Sequence, residues 1–213
     1  MDWNSALPAL FGGIQLTLEI FIFTLVLSIP LGILIALLRL SSIPFVPTLT
    51  SGFIWVMRGT PLMLQLLFIY YFLPSAGILL DDYTSAMIAF VLNYAAYFAE
   101  IFRAGIQSID KGQYEAARAL GMNYQQTMRR IVLPQMTRRV LPPISNETIT
   151  LVKDTSLVYV LAMNDLLRVT RTLVQREFDL MPFVVAGGFY LFFTLILTCL
   201  FNYLENRYQA HDR

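Results

Sequence analysis

Residues Ile14 to Leu38 form a long, mostly apolar run that Arg39 ends. A helix needs about 20 predominantly apolar residues to cross the hydrocarbon core of a bilayer. A run of this length must either lie in lipid or be hidden inside a large core. Composition decides between the two. Of the 213 residues, 57% are hydrophobic and only 14% are charged. Soluble domains carry roughly 25% charged residues, and the mean hydropathy here is +0.62. A soluble fold would be left with very little polar surface, so the bilayer is the expected solvent. The formal net charge of +1 leaves no electrostatic footprint for nucleic acid. The single cysteine, Cys199, lies in an apolar run, which excludes a disulfide framework or a cysteine-rich zinc site and leaves a packing thiol. The start, Met1-Asp2-Trp3-Asn4, has no positive region, so a cleaved signal peptide is not expected.

Four further spans are expected. One runs from Phe53 to Leu73, interrupted by Arg58-Gly59-Thr60-Pro61. Another runs from Ser85 to Ile106 and carries Asn93 and Glu100. Val140 to Met163 is apolar overall but contains Glu147, Lys153 and Asp154, and a break is expected near Lys153. The last runs from Met181 to Tyr203. The fold class is therefore an all-α membrane protein of about five transmembrane helices, in one domain over residues 1–213. Five spans put the termini on opposite sides. Arg103, Lys111, Arg118, Arg129, Arg130, Arg138 and Arg139 cluster in one polar segment, which is expected to stay in the cytoplasm. The N-terminus then lies outside and the C-terminus, with Arg207 and Arg213, inside. Arg168, Arg171 and Arg176 fall outside, against the rule.

Residues 110–134 form a cytoplasmic loop with its own structure. Glu115-Ala116-Ala117-Arg118-Ala119-Leu120 is a run of helix formers that Asp110 can start. Gly121 is placed to end it in a left-handed conformation. Asn123 and Gln126 have the spacing of a capping box for a second helix, which Leu133-Pro134 is expected to close or kink. Small alanines on the first helix let another surface approach closely, and packing beneath its own bundle is the alternative.

Glu115-Ala116-Ala117, three residues, Gly121, nine residues, Ile131, one residue and Leu133-Pro134 reproduce a known spacing in full. It resembles the signature loop of permease subunits in bacterial ATP-binding-cassette importers. Three other segments resemble the polar amino acid branch of that family: Arg58-Gly59-Thr60-Pro61-Leu62 with Gln65, Ala96 to Ile106, and Lys153-Asp154-Thr155-Ser156-Leu157. The resemblance runs from Leu16 to Glu205. It implies the type I importer permease fold, a bacterial inner-membrane location, and a coupling helix made by Tyr114, Glu115, Ala116, Ala117, Arg118, Ala119, Leu120 and Gly121. It implies as partners two ATPase subunits, a second permease chain (identical or paralogous), an external solute-binding protein and a polar amino acid. ATP and Mg would sit on the ATPase, with no cofactor on this chain.

The residues agree that catalysis lies elsewhere. There is no G-x-x-x-x-G-K-[ST] phosphate loop and no H-E-x-x-H pattern, and the one histidine, His211, is in the polar tail. No catalytic or metal-ligating residue is expected. Polar groups within spans are costly and become functional candidates. Asp154 or Glu147 suits a substrate ammonium, and Thr60, Asn93 and Ser156 suit a carboxylate. Gln65 and Tyr97 complete the candidate set. Glu100 with Arg103 reads as a structural pair at i, i+3, and adjacent Lys153 and Asp154 are expected to have different partners. Other readings are import of an opine or organic cation, an ion-coupled secondary transporter, and an intramembrane enzyme using Glu147 with Asp154. No internal repeat supports the second of these.

Overall fold

The computed structural model describes residues 3–209, so His211 and Arg213 lie outside the described residues. Every regular element of the described chain is helical. In order it forms α1 (Trp3–Arg39), α2 (Val46–Gly59), α3 (Leu62–Ser75), α4 (Asp82–Gln107), α5 (Lys111–Ala119) and α6 (Tyr124–Thr127). A π-helical turn (Met128–Val132) leads into α7 (Leu133–Asp154) and a 3-10 segment (Thr155–Leu161). Helices α8 (Leu166–Glu177) and α9 (Met181–Gln209) complete it.

Helices α1, α4 and α9 are each long and apolar enough to cross a membrane, and α2 with α3 does so as a pair bent by 106°. The bend has a local cause. Thr60 and Pro61 are extended, with ψ of 147° and 135°, and Pro61 cannot donate a helical hydrogen bond. Residues 140–163, expected as a span, are less apolar than these four. They belong to a helix that starts earlier, at Leu133, and tightens into 3-10 geometry at Thr155, just past Lys153. Helix α7 packs against both α4 and α9. Of its charged groups, Glu147 and Asp154 are half-buried and Lys153 is exposed.

One expectation is overturned. Leu133-Pro134 does not close the second loop helix. The backbone stays helical from Tyr124 through the π turn into α7, and Leu133 N–H bonds to Met128 O. The wider turn just before Pro134 accommodates the missing donor and the ring, which would otherwise clash with the preceding carbonyls.

Helix α4 is the centre of the bundle. Ala86, Ala89, Phe90, Ala95, Phe98 and Ala99 are all within 1% of full burial. Asp81 caps it by accepting from Thr84 N–H and Oγ1, and these bonds hold the Asp81 carboxyl below its usual range. Its small residues admit α1 at close range. A Cβ on Gly32 would fall 2.8 Å from Phe98 Cβ and 3.1 Å from Ala95 O. Gly32→Ala is therefore expected to destabilise the bundle by about 1–3 kcal/mol through overpacking. Gly12→Ala, with nothing within 4 Å of the added carbon, should be neutral or slightly stabilising. Thermal unfolding in detergent compares the two.

Helix α9 lies at the other extreme. Its most apolar stretch is only 11% buried, and Val184, Leu191, Phe192 and Leu195 are exposed along it. That is the surface expected of a helix solvated by lipid or by a further chain. Arg168, Arg171 and Arg176, expected outside against the orientation rule, lie on α8. There Arg176 pairs with Glu177 at 2.8 Å and Arg171 sits 5.2 Å over the Tyr159 ring.

Candidate functional site

Two regions concentrate the candidate residues, and local sequence builds the first. Asp110 caps α5 by accepting from Gly112 N–H at 2.6 Å. At its other end Gly121 adopts φ 77°, Gly121 N–H bonds to Arg118 O, and Met122 N–H bonds to Ala117 O, each at 3.0 Å. This pair of bonds is a Schellman motif, which needs the left-handed residue that glycine supplies without strain. Asn123 and Gln126 then close a reciprocal capping box, both bonds 2.9 Å. The result is a short helix, a glycine corner and a rigid return into α7. Ala117 is buried and Tyr114 is half-buried, whereas Glu115, Ala116, Arg118, Ala119 and Gly121 are exposed. Leu120 and Tyr124 are 80% and 75% exposed. The prong packs against α6, and Gln135 Nε2 of α7 donates to Gln113 Oε1 at 3.3 Å.

The second region needs the whole bundle. Asn93, 4% exposed, donates to Met57 O and to Gln65 Oε1, each at 3.0 Å. Gln65 Nε2 donates in turn to Met57 O at 2.9 Å and Thr60 Oγ1 at 2.7 Å. This network splices the α2–α3 break to α4. It satisfies backbone carbonyls that Pro61 and the extended Thr60 leave without helical partners. Buried interhelical hydrogen bonds in membrane proteins are worth about 0.6 kcal/mol each, up to about 1.7. Asn93→Leu removes two and is expected to cost about 1–3 kcal/mol, seen as a lower melting temperature in detergent.

Beside the splice lies a cleft of about 460 Å³. The α2–α3 break contributes Thr60, Pro61 and Met63, and α4 contributes Asn93, Tyr94 and Tyr97. Glu147, Thr150 and Asp154 come from one face of α7, and Leu157 from the 3-10 segment. Asp154 accepts from Tyr94 OH at 2.8 Å. Glu147 lines the cleft with no hydrogen bond among the described residues, and Lys153 is exposed and does not line it. The cleft thus presents two carboxylates, hydroxyls and an aromatic wall. That chemistry suits an ammonium group with polar neighbours.

Five residues expected at a site by sequence (Thr60, Asn93, Tyr97, Glu147 and Asp154) come together here. Two do not. Gln65 supports the lining from behind through its bonds to Thr60 and Asn93. Ser156 Oγ donates to Lys153 O at 2.7 Å and does not line the cleft. In the 3-10 turn that follows α7 its hydroxyl closes onto its own backbone. Tyr94 and Thr150 were missed. Thr150 stands three residues after Glu147 and four before Asp154, so helical spacing alone puts it on their face. Tyr94 precedes Tyr97 by one turn in the same way. Glu100 and Arg103 form the expected pair, with Nε to Oε2 at 2.9 Å.

A model of the binding-protein-dependent transport system inner membrane component family matches residues 28–210. The arginine transport system permease protein ArtQ of Bacillus subtilis (strain 168) is 37% identical, covering 100% of this chain and 99% of its own length. The glutamate/aspartate import permease protein GltK of Escherichia coli O157:H7 is 38% identical, covering 97% of each. The fold is also similar to a solved chain described as the crystal structure of an amino acid ABC transporter with histidines. That likeness has a TM-score of 0.88 and 34% identity, over 97% of this chain and 99% of the other.

Proposed function

Because the chain belongs to the binding-protein-dependent transport system inner membrane components, the permease family of ATP-binding-cassette importers, we propose that it carries a polar amino acid through the cleft between α2–α3, α4 and α7. The fold is the type I importer permease fold. Family membership implies an inner-membrane protein that works with an ATPase and a solute-binding protein. The observation that carries the amino acid reading is the cleft itself. Two carboxylates, Thr60, Thr150 and Asn93 surround a space of about 460 Å³. Two half-buried carboxylates facing a cavity within a membrane protein point to a substrate path. Names of relatives do not select the solute's charge, since they include permeases for arginine and for glutamate/aspartate.

In this reading residues 1–213 act as one transmembrane unit, and residues 110–134 are its coupling loop. The permease pairs with a second permease chain, and the pair sits on two ATPases that hold ATP and Mg. The N-terminus lies outside, and α5 faces the cytoplasm. Residues 114–121 seat in a groove of the ATPase. When two ATPases close on ATP, the prong moves with them. The capped, continuous run from Asn123 into α7 transmits that displacement to Glu147 and Asp154 without a flexible joint. The solute then meets the opposite side of the membrane.

Affinity purification of the tagged chain from its native membrane tests the assembly. Recovery of a stoichiometric ATPase is expected, with ATP-dependent uptake of a labelled amino acid after reconstitution. Uptake that persists in the purified chain alone, driven by an ion gradient, would overturn it.

A further inference from the structure

We propose that the path from the cleft continues to a second solute station, reached past Tyr97, where Arg58 holds the α-carboxylate of the travelling amino acid. A second cleft, of about 360 Å³, adjoins the first. Tyr97 and Glu147 line both. Each cleft lies at the lower end of the roughly 300–1,000 Å³ range of small-molecule sites.

The two clefts follow one seam. Tyr94 bonds to Asp154 at one end of it, and Arg139 donates to Ser108 O at the other, so α4 and α7 run antiparallel. Along α4 the lining steps from Asn93 through Tyr97 and Glu100 to Ala104 and Ser108. Along α7 it steps back from Asp154 through Thr150 and Glu147 to Pro143 and Arg139. Every step is three or four residues, so each helix offers a single face along about 22 Å. The far end lies beside Ser108, two residues before the cap of α5.

Charge changes along this seam. The first cleft is lined by Glu147 and Asp154 and by no cation. The second adds Arg58 and Arg139. The Arg58 guanidinium lies 5.2 Å over the Tyr97 ring, at the junction. Arg103 is held by Glu100 and Arg139 is engaged by Ser108 O, so neither arginine is as available to an incoming carboxylate as Arg58, which forms no ion pair among the described residues. A solute held by its ammonium at Glu147 can present its carboxylate to Arg58 without releasing the first contact. The geometry thus hands the zwitterion from one compartment to the next. The inference rests on reading the first cleft as an amino acid site.

Cysteine labelling of the complete transporter, permease with its ATPase, separates the two. Cys199 is the only cysteine of this chain, so Cys199→Ser gives a permease without its own thiol, and labelling is read on the permease band. Thr150→Cys then reports the first cleft and Ala104→Cys the second, both exposed positions. Labelling by a charged thiosulfonate is timed with and without L-arginine, L-glutamine or L-glutamate. At least one solute is expected to slow labelling at both positions by about tenfold, the scale of a charged hydrogen bond. Arg58→Gln should abolish protection at Ala104→Cys and retain it at Thr150→Cys, and Arg58→Lys should restore it. Protection confined to Thr150→Cys, or protection of Ala104→Cys that survives Arg58→Gln, overturns the second station. A solute that is imported yet protects neither position overturns the first-cleft reading and the station with it.

Discussion

Gly121→Val is expected to leave the protein inserted and folded but to cut uptake per ATP hydrolysed by about tenfold. Nothing lies within 4 Å of a Cβ at this position, so the effect is entirely in the backbone. A left-handed conformation costs an L-residue roughly 1–2 kcal/mol, and a β-branched one is a true outlier there. Valine relieves that strain by leaving φ 77°, which breaks the Gly121 and Met122 N–H bonds to Arg118 and Ala117. Only Ala117 of α5 is fully buried, and one exposed side-chain bond, Gln135 Nε2 to Gln113 Oε1 at 3.3 Å, ties it to α7, so the corner supplies much of the hold on the prong's angle. About 1.4 kcal/mol is a factor of ten in an equilibrium, which sets the expected loss. Gly121→Asn should be milder, because asparagine tolerates the left-handed region. Paired ATPase and uptake assays in proteoliposomes measure the ratio. Equal coupling for glycine and valine would show that the corner does not transmit force.

Asp154→Asn is expected to have the larger effect on uptake itself. The amide keeps the shape of the carboxylate and an oxygen for the Tyr94 hydroxyl, whose bond is 2.8 Å. Only the charge is removed. Hydrogen bonds to charged groups contribute about 1.5–3 kcal/mol, so solute affinity should fall by roughly 10- to 150-fold with little change in melting temperature. Tyr94→Phe provides the contrast. It removes the bond but keeps the carboxylate in the cleft, and it should lower stability more than affinity. If Asp154 serves only as an acceptor for Tyr94, the pattern reverses: Asp154→Asn transports normally and Tyr94→Phe accounts for the damage. Binding of labelled amino acid to the detergent-purified transporter distinguishes the two patterns.

The readable parts of the chain share one property. Asp110, Gly121, Asn123 and Gln126 act on partners within five residues along the chain. The apolar runs of α1, α4 and α9 are legible because lipid solvates one helix at a time. The break at Thr60-Pro61 is legible because proline removes a donor wherever it stands. Where sequence reading erred, a neighbouring turn had changed the local rule. The π turn at 128–132 absorbed Pro134, and the 3-10 turn after Asp154 took Ser156 out of the cleft.

Residue chemistry alone determined that this chain lives in a bilayer, that it carries a capped prong between its third and fourth apolar segments, and that a few polar groups lie among apolar ones. Only the tertiary structure decided which of those groups meet. Asn93 reaches Gln65 across 28 residues and Tyr94 reaches Asp154 across 60. Such pairs depend on how α2–α3, α4 and α7 pack. Packing angle and depth are set by small residues such as Ala95 on another face of α4 and Gly32 of α1, which meets it there, and they leave no mark in the spacing of the polar residues themselves.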